Sequence, residues 1–173
     1  MTYKLHHRHV RALVRDALLA AILITSKEML AFLPNVELIS MLIATYTVVY
    51  RFRALVPIYI FVAVEAVIYP FFSTVVMYAY VWAILFFAVH LISRGRVRSP
   101  LVYAAVCGLF GFLFGALCAP AQAIMFSLDL NGMLAWIAAG MPFDIVHGIS
   151  NMATALLVPP LARLLLRLEG QRG

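Results

Sequence analysis

In the stretch "FDIVHGISN", Phe143 to Asn151, an acid, a histidine and an amide fall at i, i+3 and i+7 among Phe, Ile and Val. On an ideal helix these positions differ by about −60° and −20°, so Asp144, His147 and Asn151 form one narrow polar stripe. Such groups can hold a ligand through charge-assisted hydrogen bonds. Asp144, His147 and Ser150 could also supply an acid, a base and a hydroxyl for hydrolysis. A nucleophile normally meets its base from a different element, whereas these three share one helix, so capture of a ligand is the leading chemistry and intramembrane catalysis the alternative.

The elements that must position this stripe are apolar. Of 173 residues, 65% are hydrophobic and 12% charged, and the mean hydropathy is +1.02. That is an integral membrane composition. Breaks at Pro34-Asn35, Arg51 to Arg53, Pro70 to Thr74, "SRGRVRSP" and Ser127 to Gly132 leave six spans, roughly 10–31, 36–50, 54–70, 74–93, 100–126 and 141–158, in one transmembrane domain with tails 1–9 and 161–173. The second and third are short against the ~20 residues a bilayer core requires, which implies tilt or shielding by neighbours. Pro57, Pro100 and Pro142 suit first helical turns, Pro120 should kink the fifth span, and Pro159-Pro160 should end or kink the sixth. Cys107 and Cys118 share one span at ~16 Å separation and cannot bridge.

Charge sets the orientation. Twelve of the thirteen Lys and Arg residues fall on one side of the six spans, at both ends and around Arg51, Arg53 and Arg94 to Arg98, while Lys27 alone falls on the other. The positive-inside rule then places both termini in the cytoplasm of a multi-pass plasma-membrane protein. Topology accounts for the net charge of +6 without nucleic acid as a partner. The first apolar run ends in "ITSKEM", without the small-residue pattern of a cleaved signal peptide.

The remaining polar groups gather in the outer half: Glu28, Asn35 and Glu37 around the first external loop, Glu65 and Tyr69 on span three, Tyr78, Tyr80 and Trp82 on span four, and Trp136 before span six. A conduit would carry ionisable groups through the midplane, whereas a pocket open to the outside needs them in one half only. An acid facing lipid costs about 2.5–3.5 kcal/mol, so Asp144 and Glu65 must face protein or water. Any one of these groups could be interhelical glue, and a structural membrane subunit without ligand is a second alternative. Glue is usually Ser, Thr or Asn, however, and here three separate spans carry an acid. The aromatics also suit an interfacial belt, although Tyr78 and Trp82, at i and i+4, share one face. The tract "HHRH" (His6, His7, His9) reads as a solvated flank beside Arg8 and Arg11 rather than a metal site.

Two small-residue faces are present. Ala17 and Ala21 lie four apart on span one, and Cys107, Gly111, Gly115 and Ala119 repeat at four-residue intervals on span five. Either allows close helix approach, so one could pack the protein internally and the other dock a partner.

The topology, the "ALLAA" of a basic-flanked first helix, and the runs "KEMLAFLPNVELISMLI" and "GMPFDIVHGISNM" resemble the substrate-binding S component of energy-coupling factor (ECF) vitamin transporters over nearly the whole chain. The resemblance implies an all-α bundle of six transmembrane helices. It implies capture of a vitamin or related micronutrient from outside, with a transmembrane coupling subunit and two ATPase subunits driving ATP-dependent uptake. It also implies that the chain itself is neither an enzyme nor a nucleotide binder; no P-loop is present. Ala17 and Ala21 match the alanine motif that meets the coupling subunit. The pocket maps to Glu28, Asn35, Glu37, Glu65, Tyr69, Tyr78, Trp82, Trp136, Asp144, His147 and Asn151. Metal-type S components share a histidine near an external N-terminus, whereas the histidines of this chain's N-terminal tract are expected inside, so neither a metal nor another cofactor is expected. Four outer carboxylates outnumber Lys27 and His147, which favours a neutral or cationic heterocycle; thiamine-like, flavin-like, deazaguanine-like and corrinoid compounds all meet that condition.

Overall fold

The computed structural model describes the backbone of residues 2–69 and 72–170 and the side chains of residues 9–69 and 74–170. Within these limits the chain is all helical. Pro70 and the side chains of Lys4, His6, His7, Arg8 and Arg172, which bear on the expected topology, lie outside the described residues.

Among the described residues eight α-helices follow one another: α1 (Thr2–Met29), α2 (Ile39–Tyr50), α3 (Leu55–Ile68), α4 (Phe72–Ser93), α5 (Pro100–Phe112), α6 (Phe114–Phe126), α7 (Leu130–Ala155) and α8 (Val158–Gly170). A 3-10 turn, Arg51–Ala54, joins α2 to α3. Among the described residues, three stretches are long and apolar enough to cross a bilayer: Thr74–Ser93, Pro100–Phe126 and Leu130–Ala155. By contrast, the 12 residues of α2 and 14 of α3 reach only ~18 and ~21 Å.

The fifth span is not one helix. It breaks at Leu113 (φ −100°, ψ 3°), and Pro120, where a kink was expected, lies inside α6. Gly111 and Gly115 flank the break, and glycine is the weakest helix former after proline. The helix expected over 141–158 instead begins at Leu130. Asp129 caps it, its Oδ1 accepting the Gly132 N–H at 2.7 Å, so the polar patch that looked like a loop is a helix start. Pro142 therefore falls in the interior of α7 rather than in a first turn. α7 ends before Pro159 and Pro160, which occupy the first turn of α8. The segment expected as a tail after residue 160 is thus helical to Gly170, with Val158, Pro159 and Ala162 buried and Arg163 and Arg167 exposed.

α5–α6 and α7 form an antiparallel hairpin whose seam is built from glycine. A Cβ on Gly108 would meet Met152 Cγ at 2.2 Å, one on Gly111 would meet Gly148 Cα at 2.8 Å, and one on Gly115 would meet Asp144 Oδ2 at 2.4 Å. Cys107, Gly111, Gly115 and Ala119 are all buried, so the small-residue stripe of span five is an internal packing face. The remaining core draws on Leu23, Ile43, Ile58, Phe61, Phe86 and Tyr103, from five helices. At the end holding the arginine-rich connections, buried Asp16 accepts from Arg15 Nε (3.0 Å) and Arg53 Nε (3.3 Å), and Glu169 of α8 accepts from Tyr50 at 3.2 Å. These contacts tie α1, the 3-10 turn, α2 and α8 together.

Candidate functional site

The polar stripe of α7 is real, and all three members are buried: Asp144 at 9%, His147 at 5% and Asn151 at 0% exposure. Each engages a different element. Asp144 accepts the backbone N–H of Gly115 through both oxygens, at 3.1 and 3.0 Å. First-turn N–H groups have no partner within their own helix, so the carboxylate caps α6 from a neighbouring helix. Asn151 donates to Ser40 Oγ at 3.1 Å, joining α7 to the start of α2. His147 Nε2 lies 3.2 Å from Glu37 Oε1.

Glu37 precedes α2 and caps it. Its carboxylate accepts from the N–H groups of Ile39 (3.0 Å) and Ser40 (3.2 Å) and from the Ser40 hydroxyl. With His147 as a fourth neighbour, Oε1 faces three groups, whereas Oε2 accepts only from Ile39. A carboxylate oxygen can only accept here, so the proton of this contact resides on His147 Nε2. His147 Nδ1 has no hydrogen-bond partner among the described residues.

Next to this pair is a cavity of about 220 Å³. The connection between α1 and α2 forms one wall, Leu30 to Glu37 with Phe32 turned away, and includes Asn35 in the left-handed region (φ 60°). Asn tolerates that conformation better than most side chains. An aromatic row forms another: Tyr78 and Trp82 (5.4 Å between centroids), Trp82 and Phe114 (6.0 Å), Phe114 and His147 (4.8 Å). Lys27 completes the lining. Trp82 is 3% exposed, and its Nε1–H has no acceptor among the described residues.

Five of the eleven expected binding residues line this cavity: Asn35, Glu37, Tyr78, Trp82 and His147. Glu65 stands behind it, 1% exposed and paired with Lys27 Nζ. Lys27 Nζ also lies 3.6 Å from Glu28 Oε1 and 4.3 Å from the centre of the Tyr69 ring, and Tyr69 donates to Glu28 Oε2 at 2.9 Å. Glu28, Glu65 and Tyr69 thus form one ionic cluster with Lys27 beside the cavity. Asp144 and Asn151 brace α7, and Trp136 packs half-buried against the core away from the lining.

Lys27 and Phe114 were not among the expected site residues. Lys27 carried a usable signal, as the one basic residue expected on the outer side and within reach of acids. Phe114 carried none, because its place depends on the break at Leu113. Ala17 and Ala21 are both exposed, on an outward face of α1 shared with Val14, Leu18 and Ile22. Comparison with protein-family models, curated proteins and solved structures finds no match.

Proposed function

We propose that this chain is the membrane-embedded, substrate-binding subunit of an ECF-type transporter. It would take a small vitamin-like molecule from outside and pass it to a coupling subunit with two ATPases. The observation that carries this reading is the cavity itself: an aromatic row, a lysine and a carboxylate–histidine pair meet around about 220 Å³ of space. Small-molecule sites have this makeup, apolar walls with a few placed polar groups.

Other features support the reading. The arginine-rich connections gather at the Asp16 end and Lys27 at the cavity end, as expected for six spans with both termini cytoplasmic and the cavity toward the outside. The alanine pair of α1 is spent on no internal contact and is open to a coupling subunit. Catalysis fares worse. Asp144 is occupied by Gly115 and His147 by Glu37, and no hydrogen bond joins either to Ser150 among the described residues. The cavity lies below the ~300–1,000 Å³ of drug-sized sites, which suits a one- or two-ring compound and is far too small for a corrinoid.

The test is mass spectrometry of small molecules released when the purified protein is denatured, followed by uptake of the identified compound into vesicles containing the coupling module. Release of a compound and its ATP-dependent uptake are the expected results. A protein that releases nothing and supports no uptake would be a structural subunit.

A further inference from the structure

Two connections meet at the arginine-rich end of the molecule: the 3-10 turn Arg51–Ala54 and the segment from Arg94 to Ser99 between α4 and α5. A Cβ on Gly95 would lie 3.8 Å from Arg51 Nη1 and 3.9 Å from Arg51 Cδ, so the Arg51 guanidinium rests against the backbone between Arg94 and Arg96. The approach uses unfavourable backbone. Arg51 adopts φ 52°, ψ −133°, outside even the left-handed helical region, and Arg94 and Gly95 have φ 46° and 75°. Glycine takes the Arg51 conformation freely and arginine does not, so the chain accepts strain where it brings one positive charge up to two others.

Among the described residues no acid neutralises them. Of the seven acidic residues, Asp16 pairs with Arg15 and Arg53, and Glu169 is held by Tyr50 and Arg15. The other five cap helices or meet Lys27 and His147. Arg51, Arg94 and Arg96 are exposed, and Arg98, whose Nε donates to the Ile92 carbonyl at 3.1 Å, adds a fourth positive charge without an acid. Exposed guanidinium groups that share no carboxylate suit a phosphate, which they grip through paired N–H donors.

Depth selects the source of that phosphate. Arg94 to Arg98 join Thr74–Ser93 to Pro100–Phe126, two stretches long and apolar enough to cross a bilayer, and so lie beyond the hydrocarbon ends, at headgroup level. Leu91 (68% exposed), Phe52 (57%) and Leu101 (74%) flank them in the chain and offer apolar surface to acyl chains. We infer that Arg51, Arg94 and Arg96 form a site for the phosphate of an anionic phospholipid. None of the three lines the cavity, so the inference stands apart from the reading of the chain as a binding subunit.

The test is native mass spectrometry of the whole chain, released from neutral-detergent micelles holding equal amounts of phosphatidylglycerol and phosphatidylcholine. Wild type should retain phosphatidylglycerol in preference by ~10-fold or more, and each arginine removed, in Arg51→Gly or in Arg94→Gln with Arg96→Gln, should reduce that preference about 5-fold. Arg51→Gly also relieves the backbone, so its thermal stability in lipid-free detergent should match or exceed wild type, and its loss of lipid is not a loss of fold. Arg163→Gln with Arg167→Gln removes two charges from α8 and should leave the preference intact. Equal retention of the two lipids by wild type, an undiminished preference in the Arg51 and Arg94/Arg96 variants, or an equal loss in the α8 variant overturns the site. If inorganic phosphate raises thermal stability as much as phosphatidylglycerol does, the site takes a soluble anion and the lipid assignment falls. If the variants keep their lipid preference and instead lose the coupling module, the patch is a protein contact and the inference falls with it.

Discussion

Both carboxylate oxygens of Asp144 lie within 3.1 Å of the backbone nitrogen of Gly115, on the helix that faces it across the hairpin. The acid that stood out as a ligand-binding group therefore has a structural role, receiving an N–H in the first turn after the chain breaks at Leu113. Asp144→Ala should cost about 1–3 kcal/mol of stability by leaving that donor buried and unpaired. Asp144→Asn retains an oxygen acceptor and should recover much of the loss. Thermal unfolding in detergent measures both. Loss of ligand binding in Asp144→Asn at unchanged stability would instead return the residue to the binding site.

The same hairpin makes a sharper prediction at Gly111. A methyl there meets the backbone of Gly148 at 2.8 Å, so Gly111→Ala must separate α5 from α7. Backbone cannot swing aside as a side chain can, and a cost of about 1–3 kcal/mol is expected. Gly140, on the same α7, has nothing within 4 Å of its would-be Cβ. There alanine should be neutral or stabilising by up to about 1 kcal/mol, because glycine is the poorer helix former. Equal effects at the two positions, read by the same unfolding measurement, would place the hairpin seam elsewhere.

Spacing alone put Asp144, His147 and Asn151 on one face, and the structure keeps them there, since helical periodicity is a local property. Which neighbour each residue meets is a tertiary matter. His147 faces Glu37, 110 positions away in the chain, and Asn151 faces Ser40. The extent of α7 was misread for a local reason: Asp129, Asn131 and Gly132 have turn-forming composition, and the same Asp is an equally good helix cap. The break at Leu113 was missed because proline is the louder signal, and the two glycines that flank the break also form a helix-packing stripe. Four acids expected in the outer half favoured a neutral or cationic ligand, but charge counted along the chain does not tell which acids meet Lys27 and which meet the cavity.

Lys27 and Glu65 carry the next prediction. Glu65 is 1% exposed, its Oε2 faces Lys27 Nζ, and its Oε1 has no partner among the described residues. Lys27→Met leaves a buried carboxylate without its counter-charge and should cost about 3–5 kcal/mol. Adding Glu65→Gln removes the charge and should restore most of that stability. A double variant as unstable as the single would show that packing, not charge, was lost. Detergent-based unfolding of wild type and the three variants completes the cycle.

On α1, adjacent residues have opposite surroundings: Ala20 is 1% exposed and packed inside, while Ala21, like Ala17, lies on the outer face. Tryptophan at Ala20 must push into the core and should destabilise the isolated protein. Tryptophan at Ala17 or Ala21 meets no internal neighbour that it must displace, so the isolated protein should keep its stability and its ligand affinity. If the exposed face is where the coupling subunit docks, the bulk should hold the two helices apart, and complex formation and ATP-dependent uptake should fall together. Ala17 is ten residues before Lys27, or ~15 Å along the helix, too far for the new ring to reach the cavity. Co-purification with the coupling module and calorimetry on the isolated variants separate the effects. Normal uptake by both Ala17→Trp and Ala21→Trp would assign this face to lipid. The buried stripe from Cys107 to Ala119 could not replace it as a docking surface, because it is already covered, with α7 packed on Gly111 and Gly115.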